Sequence, residues 1–174
     1  MQGKLTNHQI EALLRRQIIG RIGCHVNGTT YIVPISYAYD GECVYAHTYE
    51  GLKIDTMRIN PSVCFEVEQM ENMANWQTVV AQGQYEELTS AGEKRLAIDK
   101  LMRRNFPMQS SNTVKFSKYW PFAPAEDEEI KGIFFRIRLG EKYGRYEKPC
   151  NDESKCSGNC RVKKVSSLEA ILSK

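Results

Sequence analysis

Between two apolar runs, the segment "VYAHTYEGLKIDTM" brings His47, Thr48, Gly51 and Lys53 into a span of seven residues. An imidazole, a hydroxyl, a glycine and an ammonium at this spacing are groups that can hold an anion. A strand ending near Thr48 and a helix starting after Gly51 would aim unpaired N–H groups and the positive end of a helix dipole at one point. Gly51 allows close approach of the backbone to a ligand. Lys53 falls in the first helical turn, where a cation opposes the dipole and costs stability unless an anion compensates it. His47 and Thr48 can add hydrogen bonds to phosphate oxygens. Each residue alone has an ordinary explanation, as a solvated lysine or a structural histidine on a strand. The set points to a phosphate-bearing ligand. Arg58, five residues beyond Lys53 and about 140° further around the helix, reads as a surface residue.

The elements that must position this set are mostly strands. Thr6 with Gln9 forms a possible capping box ahead of Ile10, Leu13 and Leu14, predicting an opening helix. "IIGRIGCHV" and "TTYIVPISYAY" meet across Asn27-Gly28, a strong hairpin signal, and Asp40-Gly41 turns the chain again into "ECVYAHT". Three strands in succession predict an antiparallel meander. "LKIDTMRIN" predicts a short helix stopped by Asn60-Pro61, since a residue before proline is pushed out of the α region. "SVCFEVE" alternates as a half-buried strand, and "NWQTVVAQGQYEEL" is a longer one with a possible bulge at Gly83. Ser90 with Glu93 opens a further helix that runs to about Asn105. Residues 107–129 read as loop, and "GIFFRIRL" as the last strand. From Gly140 the apolar period fades, so residues 141–174 read as a polar tail behind one domain at 1–140.

Composition narrows the class. With 174 residues, 41% hydrophobic and 26% charged, the chain suits a single globular domain. The net charge of +3 comes without a dense basic run, and Arg15-Arg16 and Arg103-Arg104 sit where cations suit helix C-termini, which argues against nucleic acid. No signal peptide and no apolar run long enough to span a bilayer is expected, hence a cytoplasmic, non-membrane protein. Cys24, Cys43 and Cys64 lie in strand-like apolar settings and read as free thiols of a reducing compartment. Cys150, Cys156 and Cys160 stand in the tail without a nearby histidine. They read as redox-sensitive thiols, and a metal site would need a fourth donor from elsewhere.

Taken together, the strings "IIGRIGCHV", "TTYIVPISYAYDG", "VYAHTYEGLK", "MRINPSVCFEVE" and "WQTVVAQG" resemble the FMN-binding split-barrel superfamily, the pyridoxamine 5′-phosphate oxidase-like proteins. The resemblance covers residues 5–140, and within the superfamily it is nearest to the flavin-binding branch that includes the nitroimidazole reductases. It implies a mainly β fold, an antiparallel Greek-key split barrel with short flanking helices. It also implies FMN as cofactor. The strand Val33, Pro34, Ile35, Ser36 and Tyr37 would run beneath the isoalloxazine, and His47, Thr48 and Lys53 would hold the phosphate. Two subunits build each site in this superfamily, so Trp76, Gln77 and Thr78 would reach the flavin of a partner chain. For Tyr37 and Trp76, plain core or interface packing is an equal alternative. Pro34 inside a strand fits an edge left free for a cofactor.

The expected function is therefore that of a homodimeric FMN oxidoreductase acting on small electrophiles such as nitroimidazoles, with reduced nicotinamide as transient donor. His47 is first a cofactor ligand and second a candidate catalytic residue. A flavin carrier or sensor without turnover is the alternative. Vitamin B6 oxidation is less favoured, because the Arg- and Pro-containing terminal signature of that activity is missing.

Overall fold

The computed structural model describes residues 1–104 and 131–149. The loop expected at 107–129, the Cys150, Cys156 and Cys160 cluster and the closing "SSLEAILSK" stretch lie outside the described residues. In chain order the elements are β1 (Gln2–Lys4), α1 (Asn7–Arg16), β2 (Ile19–Val26), β3 (Thr29–Tyr39), β4 (Cys43–Thr48), α2 (Leu52–Ile59), β5 (Ser62–Asn72), β6 (Asn75–Glu87), α3 (Ala91–Met102) and β7 (Ile133–Glu147).

Local chemistry sets these boundaries. The Thr6 hydroxyl accepts from the Gln9 N–H at 3.3 Å while the Gln9 amide oxygen accepts from the Thr6 N–H at 2.8 Å, closing the capping box of α1. Asn27 and Gly28 have φ of 49° and 79°, both positive as a two-residue hairpin of the right twist requires. The Asp40 carboxylate accepts from the N–H groups of Glu42 and Cys43 at 3.0 and 2.8 Å, building the second turn. Ser90 caps α3 through the Glu93 N–H, but Glu93 bonds the Ser90 hydroxyl rather than its backbone, so this capping box is only half formed.

β2, β3 and β4 form the expected meander, and β5 returns to lie beside β2, a Greek-key arrangement. β6 pairs with β5, and β7 closes the wall by pairing with both β6 and β4, all antiparallel. The ladder slips at Ala81/Gly83, where a bulge had been expected. Ile22, Tyr37, Phe65, Val79 and Phe135 fill the interior with Leu13 and Leu14 of α1 and Ile54 and Met57 of α2. A second cluster lies outside the wall, where α3 packs Ala97 and Leu101 on Ala38, Tyr45 and Phe134.

The wall is not sealed. β3 pairs with β2 from Thr29 to Ser36 but with β4 only through Tyr37, Ala38 and Tyr39. One edge of the Thr29–Ser36 stretch therefore has no strand partner among the described residues. This opening is the split of the barrel.

Two features depart from expectation at the chain's ends. β1 pairs Gln2 with Glu147, and β7 continues seven residues past Gly140 to Glu147. The expected start of the tail at 141 is therefore too early. Residues 141–147 are polar on their outer side, with Tyr143 exposed. Gly144 faces α1 so closely that an added Cβ would lie 2.7 Å from Leu5 and Ile10. A glycine packed under a helix carries no apolar signal.

Candidate functional site

α2 begins at the split. Gly51 is its N-cap, with φ 154° and ψ 178°, a conformation essentially reserved to glycine, and no side chain caps this end. The Ile54 and Asp55 N–H groups donate to the Gly51 carbonyl, at 2.8 and 3.1 Å. The N–H groups of Leu52 and Lys53 precede any intrahelical partner. Among the described residues, chain neighbours aside, nothing lies within 4 Å of where a Gly51 side chain would start.

Lys53 occupies this end. Its ammonium is half-buried and donates to the Thr48 hydroxyl at 2.8 Å. Burial pushes its pKa down, with the Cys24 thiol acting the other way. Cys24 is buried in β2, and burial pushes its thiol up. A lysine that is desolvated and hydrogen-bonded to a neutral oxygen is poised for an anion, which would restore the stabilisation its charge lost.

The expected trio divides. Successive strand residues point to opposite faces, and the register across to β7 shows which face each takes. Thr48 is paired with Ile133, which packs on the barrel interior, whereas His47 is paired with Phe134 of the outer cluster. The His47 ring lies 4.5 Å from that of Phe134, and Nε2 lies 2.9 Å from the Lys131 carbonyl. Since a carbonyl can only accept, Nε2 carries the proton. Gly132, with φ 115°, wraps so tightly around His47 that an added Cβ would sit 2.6 Å from Nε2. Thr48 and Lys53 thus meet on the inner side of the wall, whereas the His47 ring contacts the start of β7 on the other.

The open edge of β3 supplies the second wall. The two-residue turn makes Val26–Thr29 the first hydrogen-bonded pair, so Tyr31, Val33 and Ile35 turn their backbone groups to β2. Ile32, Pro34 and Ser36 turn theirs to the open edge. Pro34 has no N–H to leave unpaired there, and its carbonyl remains. Tyr37 is a correction to the expected flavin contacts. Its side chain is fully buried, packs edge-on to Phe65 at 5.0 Å and donates from its hydroxyl to the Leu14 carbonyl at 2.8 Å. Its N–H donates to Ile18 and its carbonyl accepts from Arg104 at 2.6 Å, so all its polar groups are committed elsewhere.

Trp76, Gln77 and Thr78 start β6, paired with Met70, Gln69 and Glu68. The Trp76 indole N–H donates to Glu147 at 3.2 Å, and the Thr78 hydroxyl to Glu66 at 2.9 Å. Met70 lies seven residues along β5 from Val63, the partner of Cys24, roughly 23 Å at strand rise. Within one chain these three residues are remote from Lys53.

Arg58 behaves as expected. It donates to Glu50 at 2.9 and 3.0 Å and to Glu87 at 2.8 and 2.9 Å, pinning the turn before α2 to the end of β6. Reasoning from sequence missed Arg104, which links the end of α3 to the Ser36 hydroxyl at 2.7 Å. No sequence spacing announces that contact. Among the described residues no group of His, Cys, Asp and Glu could hold a metal ion, and no helix is long and apolar enough to cross a membrane.

Known proteins share this fold. The profile of the pyridoxamine 5′-phosphate oxidase family matches residues 6–145. A FAD-binding protein from Mesorhizobium loti is similar in structure, with TM-score 0.65 and 27% identity over 85% of this chain and 99% of that one. A protein from Bacteroides thetaiotaomicron named for 5-nitroimidazole antibiotic resistance has TM-score 0.62 at 20% identity, covering 84% of this chain and 87% of its own. An uncharacterized Rhizobium meliloti protein is 32% identical over 84 residues, 48% of this chain. The chain spans 56% of the length of that curated relative.

Proposed function

This chain belongs to the pyridoxamine 5′-phosphate oxidase family, and on that footing we propose that it is an FMN-binding flavoprotein that reduces small electrophiles, nitroimidazoles among them. The observation that carries this reading is the half-buried Lys53 ammonium, bonded to Thr48 at an uncapped glycine N-terminus beside the open edge of β3. One ammonium and one helix end suit a single phosphate, hence FMN rather than a dinucleotide. The names of the Mesorhizobium and Bacteroides proteins support a flavin and a nitroaromatic substrate.

The chain's groups fit the cofactor. Thr48, Lys53 and the Leu52 and Lys53 N–H groups hold the phosphate. The Ile32 and Ser36 backbones and the Pro34 carbonyl would meet the polar edge of the ring system. When bound, flavin supplies hydride or single-electron transfer, with reduced nicotinamide as donor. His47, held from the far face of β4, keeps the Lys131–Gly132 turn against the strand end, a positioning role rather than a catalytic one.

The working unit is a homodimer. The outer face of β2, β3, β5 and β6 carries exposed Ile19 and Ile32 and an apolar hollow of about 440 Å³ lined by Gly23, Ile32, Cys64 and Gln82. A second copy seated on this face would bring Trp76, Gln77 and Thr78 of the partner subunit to the flavin that its own Lys53 cannot share with them. The free thiols of Cys24, Cys43 and Cys64 suit a reducing cytoplasm.

The test is the visible spectrum of freshly purified protein, with mass identification of the released chromophore. Flavin absorbance that bleaches with NADH or NADPH and returns with a nitroimidazole is expected. A colourless protein that takes up no FMN would overturn the reading. Bound flavin that never reoxidises with substrate would make it a carrier or sensor.

A further inference from the structure

Lys53 brings a charge to the cradle without a counter-charge. Among the described residues it has no carboxylate partner, and its ammonium donates to the neutral Thr48 hydroxyl at 2.8 Å. The titratable groups nearby are turned elsewhere or carry no charge at neutral pH. On α2, Asp55 is exposed two residues further on, a spacing that does not face Lys53. Arg58 is bound to Glu50 of the preceding turn and to Glu87 of β6. On β2, the exposed His25 ring lies 3.0 Å from the Thr30 hydroxyl, and the Cys24 thiol is buried. Tyr31, the β3 partner of Cys24, brings only a phenol. On β4, the His47 ring takes the opposite face, against Phe134.

In the flavin-free protein, burial takes water from the Lys53 ammonium, and the positive end of α2 opposes it in the same place. Burial accordingly pushes its pKa down. Cys24 acts the other way only as a thiolate, and burial pushes that thiol up. A phosphate at this helix start reverses the balance, because its negative charge then faces the ammonium. Lys53 therefore has a lower pKa before the phosphate arrives than after. Between those two values the flavin-free cradle holds an amine and the loaded cradle an ammonium. Building on the flavin reading, we propose that FMN binding takes up a proton at Lys53, so that the hold on the cofactor weakens as pH rises. For one proton, the fall in affinity is at most about tenfold per pH unit above the flavin-free value. Thr48 and the Leu52 and Lys53 backbone N–H groups do not titrate, and they hold the phosphate throughout.

Calorimetric titration of the flavin-free full chain with FMN tests this, run in pairs of buffers with different heats of ionisation. The range is about pH 8 to about pH 10, where the FMN phosphate is already a dianion and lysine approaches its ordinary value. Proton uptake that rises with pH toward one per chain is expected, with affinity falling alongside it. Lys53→Arg, which stays charged, should bind FMN with that uptake removed, and Lys53→Met should bind more weakly with the uptake likewise removed. The ring system's own ionisation is common to all of these, so the difference between wild type and variants reports Lys53. Cys24→Ala should keep the uptake. Equal proton uptake in wild type and both Lys53 variants, or its loss in Cys24→Ala, would overturn the proposal and leave the flavin reading standing. A wild-type protein that binds no FMN at any pH would overturn the flavin reading, and this inference with it.

Discussion

The two sides of this barrel treat their polar groups in opposite ways. Along β5, β6 and β7 the strands stay paired through register shifts at Met70/Asn72 and Ala81/Gly83, and the inward side chains are apolar, with Phe65, Val79 and Phe135 fully buried. Around β3 and the start of α2, among the described residues, a strand edge lacks a strand partner, a helix lacks a side-chain cap, and a half-buried ammonium rests on one neutral hydroxyl. The first side holds the fold together. On the proposed reading, the second gives up local stability to keep donors open for a ligand. α2 spans the two: Lys53 faces the opening, while Arg58 is fixed by two carboxylates to the closed side.

Removing a large side chain from the closed side should do the most damage. Phe135→Ala empties a fully buried site against the Tyr85 ring, 5.4 Å away, and should cost about 3–5 kcal/mol in urea unfolding. A loss smaller than that caused by a substitution at the open side would break the comparison.

Lys53→Ala should next weaken FMN binding by roughly 1.5–3 kcal/mol, read by flavin fluorescence, since charge-assisted bonds to phosphate have that size. Its effect on the flavin-free protein should be the reverse. Burial lowers the Lys53 pKa below its unfolded value, so between the folded and unfolded pKa values the unfolded chain binds more protons, and stability rises with pH. Below the folded pKa the burden is fully present. Lys53→Met should therefore leave the flavin-free protein at neutral pH at least as stable as wild type, and should flatten the rise toward pH 10. A destabilised flavin-free Lys53→Met protein would mean that the lysine is structural.

Arg58→Gln should change the urea midpoint least of all. Its pKa is raised by hydrogen bonds to Glu87 and Glu50, but the group lies at the surface and solvent screens the pairs. A large loss of FMN binding in this variant would show that the turn at Glu50 depends on that anchor.

Much of this contrast is legible in residue types, because turns and caps are local. Asn27-Gly28, the Asn60-Pro61 stop and the Gly83 bulge all act through their own backbone. Gly51 and Lys53 are legible for the same reason, since both belong to one helix start. His47 and Thr48 adjoin in sequence, yet strand alternation puts their side chains on opposite faces. Tyr37 could not be placed from sequence, since an aromatic beside a cofactor and one in a core look alike. The end of β7 carries little apolar signal because Gly144 serves packing by contributing no side chain, and β1, only three residues long, has no periodicity to detect. Arg104 contacts residues 67 and 68 positions earlier, a distance no local pattern encodes.

The position of β7 in the wall also bears on how the protein is made. It pairs with β6, β4 and β1, yet it begins only at Ile133. As the chain leaves the ribosome, β4 and β6 emerge with bare edges and stay so until Glu147 has followed. The Gln2–Glu147 pairing then joins the first of the described strands to the last. Closure waits for β7, with loop entropy to overcome before the long-range ladder repays it. During that interval the nascent chain exposes strand edges of the kind that chaperones shield.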